Sequence, residues 1–232
     1  MGTAWNHPGM NGIATSLPDQ QLLAAIGARV RARLSTVPGI YQLPAQDAEI
    51  WALADFLTPK ECRKLMAMVD QVATPSSAYD AAYESGYRTS YSGNVDPADP
   101  FIRRIQRRFD DLLGIDGSHG ETIQGQRYLP GQQFQPHNDW FPYGSKYWDM
   151  EKVQGGQRSI TTMVFLNDVE EGGTTDFTEL GLSIEPRPGA ILIWNNARPD
   201  GVPNTATIHA GRPVIRGTKY IVTKWYRARP WY

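Results

Sequence analysis

Cysteine is nearly absent from this sequence, and no long hydrophobic run occurs in it. Cys62 is the single cysteine among 232 residues. One cysteine excludes an intramolecular disulfide and is compatible with a reducing compartment. No apolar run approaches the roughly 20 residues that a membrane-spanning helix needs, and the N-terminal segment lacks the basic and hydrophobic regions of a secretory signal. We therefore expect a cytoplasmic protein with no membrane partner.

An excess of charge of either sign is also lacking. The chain has 23 Lys and Arg against 24 Asp and Glu, and a formal net charge of −1. A near-neutral chain has no general attraction for nucleic acid or anionic lipid. One local basic cluster is interpreted as the solvated face of a helix: Arg103, Arg104, Arg107 and Arg108. We expect no nucleic-acid partner.

An amphipathic helix is expected near the N-terminus, over about residues 20–35, with Asp19 as its cap. Its apolar positions recur at every fourth residue: Leu22, Ile26, Val30 and Leu34. This stripe must pack on the rest of the chain or on a second subunit, so a homodimer is one expectation. Residues 1–45 are assigned to an N-terminal extension that carries this helix, and residues 46–232 to one main domain.

Short strands separated by Gly and Pro turns dominate the main domain. They are preceded by a strand over about 49–56, a helix that begins at Thr58-Pro59, a flexible loop over 74–86 and a helix over about 100–113. The strands are expected near 121–129, 134–137, 159–167, 175–177, 190–194, 204–209 and 218–227. This pattern predicts a mainly β fold with flanking helices (α+β), arranged as a sandwich or jelly roll.

The clearest chemical pattern is His137-Asn138-Asp139 together with His209. In an extended segment alternate side chains point to one side, so His137 and Asp139 can reach the same metal ion. Two imidazoles and a carboxylate bind one face of Fe(II) and leave coordination positions open. The alternative is a surface histidine beside a solvated carboxylate. The chain has only four histidines, and these two adjoin β-prone sequence, which favours the metal.

Lys219 follows His209 by ten positions and is the second residue of the strand expected near 218–227. It shares one face of that strand with Ile221, Thr223 and Trp225. A buried ammonium group is costly unless an anion meets it. The pattern therefore indicates a bound anion, such as the distal carboxylate of 2-oxoglutarate. The alternative is a lysine that extends to water from a sheet edge.

Three segments around these residues are similar to segments of one enzyme family. They are Tyr128-Leu-Pro-Gly-Gln-Gln-Phe-Gln-Pro-His137-Asn-Asp139, Phe165-Leu-Asn-Asp-Val-Glu-Glu-Gly-Gly-Thr174, and Ile208-His209-Ala-Gly-Arg-Pro-Val-Ile-Arg-Gly-Thr-Lys219-Tyr. They resemble the collagen-type prolyl 4-hydroxylases. The resemblance extends from about residue 50 to the C-terminus and is absent from the first forty or so residues. It implies a double-stranded β-helix (jelly roll) core with the N-terminal helices packed on one sheet.

The resemblance also implies a 2-oxoglutarate- and Fe(II)-dependent dioxygenase. It implies that His137, Asp139 and His209 hold Fe(II), and that Lys219 pairs with 2-oxoglutarate. O2 would cleave this co-substrate to succinate and CO2, and an iron(IV)-oxo species would then attack a C–H bond. Ascorbate is one candidate for an additional reductant.

Three further residues are implied to contact the co-substrate: Tyr128, Thr161 and Trp225. For Thr161 and Trp225, ordinary packing in a β core is the alternative. Four residues are implied to contact a peptide substrate: Arg88, Ser90, Glu121 and Trp140. For Arg88, an exposed position on a plain strand over 87–91 is the alternative.

Residues 140–157 form a long connection that is rich in aromatic residues. Such connections in compact domains are often functional lids. The aromatic residues are Trp140, Phe141, Tyr143, Tyr147 and Trp148. Aromatic rings suit proline-containing peptides, whose polyproline II backbone binds in aromatic-lined grooves.

The leading functional hypothesis is hydroxylation of prolyl residues in a peptide or protein. A first alternative is a hydroxylase of a free amino acid or another small molecule, with Arg88 available for the carboxylate of that substrate. A second is a non-catalytic β-barrel binding module that retains a metal ion. That module would have little use for Lys219.

Overall fold

The computed structural model describes residues 16–76 and 86–232. The α-helices in these ranges are α1 (Gln20–Leu34), α2 (Pro59–Val72), α3 (Pro100–Leu113) and α4 (Lys146–Glu151). The strands are β1 (Tyr41–Gln42), β2 (Ile50–Leu53), β3 (Thr74–Pro75), β4 (Tyr91–Asn94), β5 (Gln124–Tyr128), β6 (Phe134–His137), β7 (Arg158–Phe165), β8 (Glu171–Gly172), β9 (Thr175–Phe177), β10 (Leu182–Ile184), β11 (Ile191–Asn195), β12 (His209–Gly211), β13 (Val214–Arg216) and β14 (Lys219–Arg227). The expected mainly β fold with flanking helices is confirmed.

Two antiparallel sheets pack face to face. The larger has eight strands in the order β1-β2-β11-β7-β14-β5-β4-β3, and the smaller of these two has four in the order β10-β9-β12-β6. Strands β8 and β13 form a separate pair. Phe165 and Trp194 of the larger sheet share one buried cluster with Phe177 of the smaller sheet. This is the two-sheet arrangement expected for a double-stranded β-helix, and it leaves the space between the sheets for a site.

Strand β14 carries different side chains on its two faces. Lys219 and Trp225 face the cavity between the sheets. Val222 and Tyr226 belong to the hydrophobic cluster on the opposite face. This alternation agrees with the faces predicted from the sequence, because successive residues of a strand point to opposite sides.

Helices α1, α2 and α3 cover the outer face of the larger sheet. Ile26, Val30 and Leu34 of α1 belong to the same buried cluster as Ile160 and Val164 of β7. The N-terminal helix therefore packs on the main domain of its own chain. No helix in the described part of the chain is both long and apolar enough to cross a membrane.

Two details of the predicted N-terminal helix were wrong. Leu22 is 42% exposed, and Leu23 is buried in its place. A strict spacing of four residues drifts by about 40° per step around a helix of 3.6 residues per turn, so the buried stripe shifts. Asp19 has a left-handed backbone with φ 60° and makes no side-chain cap. Its carboxylate instead accepts from the backbone N–H of Gln157 and pairs with Arg229.

The helix predicted at Thr58 is confirmed, with a reciprocal capping box between Thr58 and Glu61.

The strand predicted over 204–209 was wrong. Thr205–Thr207 form a 3-10 turn, and the strand begins at His209. Asn204 explains the difference, because its side chain accepts from the N–H of Ala206 and favours a turn. Most of the flexible loop predicted over 74–86 lies outside the described residues.

The packing of α1 gives a test of stability. We expect Ile26→Ala, which removes a side chain that is 2% exposed, to lower the free energy of unfolding by about 2–5 kcal/mol. The matched control is Leu22→Ala on the exposed side of the same helix, which should change it by less than about 0.5 kcal/mol. Equal effects in urea denaturation would contradict this packing.

Candidate active site

Strands β6 and β12 bring the predicted metal ligands together. His137 ends β6 and is the Cα partner of His209, which begins β12. One ligand atom from each of His137, Asp139 and His209 lies within 4.8 Å of the others. His209 Nε2 is 3.9 Å from Asp139 Oδ2, and the centroids of the two imidazole rings are 4.3 Å apart. One metal ion can therefore contact all three side chains.

A backbone carbonyl orients each imidazole. His137 Nδ1 lies 2.8 Å from the oxygen of Gln135, and His209 Nδ1 lies 3.0 Å from the oxygen of Thr207. Because a carbonyl oxygen can only accept, each Nδ1 carries the hydrogen and donates it. In both rings Nε2 is left with its lone pair for a metal ion. Two such nitrogens and a carboxylate fit the facial triad of Fe(II).

The protonation states suit metal binding. Burial and the neighbouring His209 lower the pKa of His137 to about 3. Burial alone would raise the pKa of Asp139, but the neighbouring His209, His137 and Arg158 outweigh it and lower that pKa. At neutral pH His137 is therefore neutral and Asp139 is ionised, as metal ligands must be.

Thr161 supports the carboxylate of Asp139. Its hydroxyl donates to Asp139 Oδ2 at 2.8 Å and accepts from Asn196 Nδ2 at 2.9 Å. The family resemblance had implied that this hydroxyl reaches 2-oxoglutarate. The structure shows that Thr161 supports a predicted metal ligand. Its contact with 2-oxoglutarate stays a prediction.

Lys219 lies between the two sheets and has neutral hydrogen-bond partners. It is 1% exposed, and its Nζ donates to Thr175 Oγ1 at 3.0 Å and to the carbonyl oxygen of Thr174 at 3.4 Å. Burial lowers the pKa of Lys219 to about 7. An ammonium group in this position would be stabilised by a bound anion.

Thr175 is a site residue that the sequence analysis missed. It lies on β9 in the smaller sheet and lines the same cavity as Lys219 and the metal ligands. Thr175 and Phe177 are buried, and Asp176 between them is less so. In the sequence, the charged Asp176 between Thr175 and Phe177, shortly after a Gly-Gly turn, was the available signal. Three residues are too few to show which side of the strand faces the site.

Tyr128 and Trp225 both line the cavity, as predicted for co-substrate contacts. The Tyr128 hydroxyl donates to Gln126 Oε1 at 2.7 Å, and Lys219 Nζ lies 5.6 Å from the centroid of its ring. The indole N–H of Trp225 is buried with no hydrogen-bond partner in the described part of the chain. Contact of either residue with 2-oxoglutarate stays a prediction.

A second, larger cavity adjoins the metal ligands. Its volume is about 390 Å³, and His137, Asp139 and Trp225 line both cavities. The connection 140–157 supplies much of its wall through Trp140, Phe141 and Tyr147. Tyr143 and Trp148 pack edge-on against each other instead, with ring centroids 4.9 Å apart. Three of the five predicted aromatic residues therefore line this cavity.

Glu121, a predicted substrate residue, belongs to a buried charge network in the wall of the larger cavity. Its carboxylate accepts from Arg158 at 2.7 Å and from Arg227 at 2.5 Å. Arg227 also donates to Glu151 Oε2 at 2.5 Å. Burial would raise the pKa of Glu121, but Arg158 and Arg227 lower it. The two arginines and two glutamates neutralise one another, and three of the four were not foreseen because their partners are distant in sequence.

The other predicted substrate residues lie in or beside the larger cavity. Arg88 and Trp140 line it. Arg88 donates to Ser90 Oγ at 3.3 Å and to Gln124 Oε1 at 3.2 Å. Ser90 is 1% exposed, so it is positioned to hold Arg88. Arg88 precedes β4 and forms an isolated bridge with Phe134, so the alternative of a plain strand over 87–91 does not hold.

Comparison with known proteins agrees with this geometry. Residues 123–227 match the family model of the 2OG-Fe(II) oxygenase superfamily. Prolyl 4-hydroxylase 1 of Arabidopsis thaliana is 32% identical over 201 residues, which are 78% of this chain and 69% of that protein. The chain belongs to the prolyl 4-hydroxylase family of 2-oxoglutarate- and Fe(II)-dependent oxygenases. Members of this superfamily use Fe(II), 2-oxoglutarate and O2.

Two further relatives support this assignment. Probable prolyl 4-hydroxylase 3 of Arabidopsis thaliana is 34% identical, and the match covers 74% of this chain and 66% of that protein's length. The viral collagen prolyl hydroxylase of Paramecium Bursaria Chlorella virus-1, solved as a 2OG complex, is 27% identical with a TM-score of 0.60. That match covers 76% of this chain and 94% of the viral chain.

The ligand assignment gives a test that does not depend on turnover. His137→Ala removes one of three ligands and should weaken Co(II) binding, followed by its visible absorption, by at least about tenfold. His119→Ala is the matched control, because His119 lies in a 3-10 turn away from the triad. Unchanged Co(II) affinity in His137→Ala would contradict the assignment.

Proposed function

We propose that this protein hydroxylates prolyl residues in a peptide or protein substrate, with release of succinate and CO2. The observation that carries this proposal is the shared cavity. The triad His137, Asp139 and His209 and the ammonium group of Lys219 line one space between the sheets. Bound Fe(II) and 2-oxoglutarate would supply the oxidising chemistry there. The residues of the chain hold, orient and enclose these groups.

The position of Lys219 supports a co-substrate with a distal carboxylate. Its ammonium group is buried among Thr175, Tyr128 and Phe165. A carboxylate placed there would gain a charge-assisted hydrogen bond of about 1.5–3 kcal/mol. A non-catalytic metal-binding module would have no reason to maintain such a costly group.

The larger cavity supports a peptide as the substrate. Four of its charged side chains, Glu121, Arg158, Arg227 and Glu151, are paired with one another. Arg88 also lines it and donates to the side-chain oxygens of Ser90 and Gln124. The wall also carries Trp140, Phe141 and Tyr147. A wall of aromatic rings and paired charges suits an uncharged proline-containing segment, whose rings pack on aromatic faces, better than it suits both charges of a free amino acid. A hydroxylase of a free amino acid stays the alternative, and the peptide assay below distinguishes the two.

Three expectations from the sequence stay predictions. They are a cytoplasmic location, a homodimer and the use of ascorbate. The buried stripe of α1 is already covered by the chain's own α3 and β7. A homodimer would therefore have to use another surface.

The pKa of Lys219 predicts a pH dependence. Protonated Lys219 is the form expected to bind the 2-oxoglutarate dianion, and in the free protein its pKa is about 7. Below pH 7 Lys219 is mostly protonated, so its titration should change the KM for 2-oxoglutarate little. Above it the protonated fraction falls, so the KM should rise by about tenfold per pH unit. The control is Lys219→Arg, which stays charged and should lose this dependence. A wild-type KM that is constant from pH 6 to 9 would contradict the lowered pKa of Lys219.

The substrate class is tested by succinate release in the presence of Fe(II) and 2-oxoglutarate. We expect oligoproline or Gly-Pro-Pro peptides to stimulate succinate release and to gain one oxygen atom on a prolyl ring, detected by mass spectrometry. Free proline should have no effect, because it cannot span a cavity of about 390 Å³. Stimulation by free proline alone would favour the small-molecule alternative.

A further inference from the structure

Within the described ranges, the N-terminal extension makes two hydrogen bonds with the connection 140–157, which we call the substrate loop. We propose that Asp19 is a positioning residue that fixes the base of the substrate loop and thereby determines how tightly a prolyl peptide binds. The inference rests on the proposed function of the larger cavity. It concerns a segment that the family resemblance does not cover.

Asp19 reaches the C-terminal end of the loop. Its Oδ2 accepts from the backbone N–H of Gln157 at 2.9 Å, and its carboxylate forms an ion pair with Arg229. Arg229 in turn donates to the carbonyl oxygen of Lys152 at 2.7 Å. The Asp19 side chain is 6% exposed. One carboxylate therefore ties the loop, the first helix and the C-terminal segment together.

The neighbouring Pro18 contacts the first half of the loop. The Tyr143 hydroxyl donates to the carbonyl oxygen of Pro18 at 2.7 Å. Tyr143 packs edge-on against Trp148 of α4. Residues 18 and 19 thus contact both halves of the loop that carries Trp140, Phe141 and Tyr147 into the larger cavity.

The backbone at Asp19 is strained in a way that indicates a positional requirement. Its φ is 60°, and Asp55 is the other non-glycine residue with a positive φ in the described ranges. Aspartate adopts this conformation more readily than most residues, but at a cost that surrounding contacts must offset. Asp19 also lies very close to the backbone of the substrate loop at Gly156. A Cβ at Gly156 would lie 2.3 Å from Asp19 Oδ2, so only glycine fits there.

The substrate loop also contacts the charge network in the wall of the larger cavity. Glu151 of α4 accepts from Arg227, and Arg227 donates to the carbonyl oxygen of Gly156 at 2.7 Å. Arg227 shares Glu121 with Arg158, whose Nη1 lies 3.5 Å from the carbonyl oxygen of Asp139. Release of the loop at Asp19 would leave the metal ligands in place but allow the aromatic wall to move.

The experiment compares three variants of the full-length chain. Asp19→Gly keeps the left-handed backbone and removes the carboxylate. Asp19→Asn keeps the backbone and the hydrogen-bond acceptor but removes the charge that pairs with Arg229. Asp55→Gly is the matched control, because Asp55 also has a positive φ and is exposed in a turn. Hydrogen exchange over residues 141–157 is measured without any substrate.

For Asp19→Gly we expect faster hydrogen exchange in the substrate loop and a KM for a Gly-Pro-Pro peptide raised roughly tenfold. The KM for 2-oxoglutarate and the succinate release without peptide should stay within about twofold. Asp19→Asn should show a smaller change of the same kind, and Asp55→Gly none. This split between the two KM values would not follow from a general loss of stability.

Unchanged loop exchange and peptide KM in a folded Asp19→Gly variant would overturn the proposal. Equal increases in both KM values with a lower unfolding temperature would also overturn it, because that result indicates a stability role. If Asp19→Gly does not fold, Asp19→Asn is judged by the same criteria. If the wild-type enzyme accepts no prolyl peptide, the proposed function fails, while the exchange measurement still decides whether Asp19 holds the loop.

Discussion

The antiparallel pairing of β6 with β12 is the constraint on which the site depends. It sets His209 opposite His137, although the two residues are far apart in the chain. Asp139 follows β6 directly, and Thr161 of β7 holds its carboxylate. Because each imidazole donates through Nδ1 to a carbonyl of its own segment, the ring orientation depends on local backbone. The distance between the rings depends on the sheet.

Two buried lysines on β14 differ in whether a carboxylate of the protein accepts a hydrogen bond from them. Lys224 faces the helices and donates to Asp110 Oδ1 at 2.6 Å, which also accepts from the Tyr226 hydroxyl. Its charge is balanced within the fold. Lys219 faces the opposite side and donates only to neutral oxygens of Thr174 and Thr175 among the described residues. A buried cation with no ion-pair partner is costly for the free protein. This cost supports the proposal that a ligand supplies a negative charge there.

The walls of the two cavities have different chemistry, and this division suits two different ligands. The cavity around Lys219 has a buried ammonium group that donates to neutral oxygens beside the metal ligands. The larger cavity has two arginines and two glutamates that neutralise one another, together with aromatic rings and Arg88. This difference supports the proposed dianion in the cavity around Lys219 and the proposed peptide segment in the larger cavity. Segments distant in sequence, including the N-terminal residues 18 and 19, hold the outer wall in position.

The sequence alone was enough to predict the cluster of His137, Asp139 and His209, the buried Lys219 and the two faces of β14. These are local features, since a strand alternates its side chains and His137 and Asp139 lie two residues apart. It could not determine which threonine meets Lys219, because Thr175 reaches it from the other sheet and Thr161 turns to Asp139. Nor could it identify the partners of Glu121 or the contacts of Asp19. Those interactions join residues that only the packed sheets and helices bring within hydrogen-bonding distance.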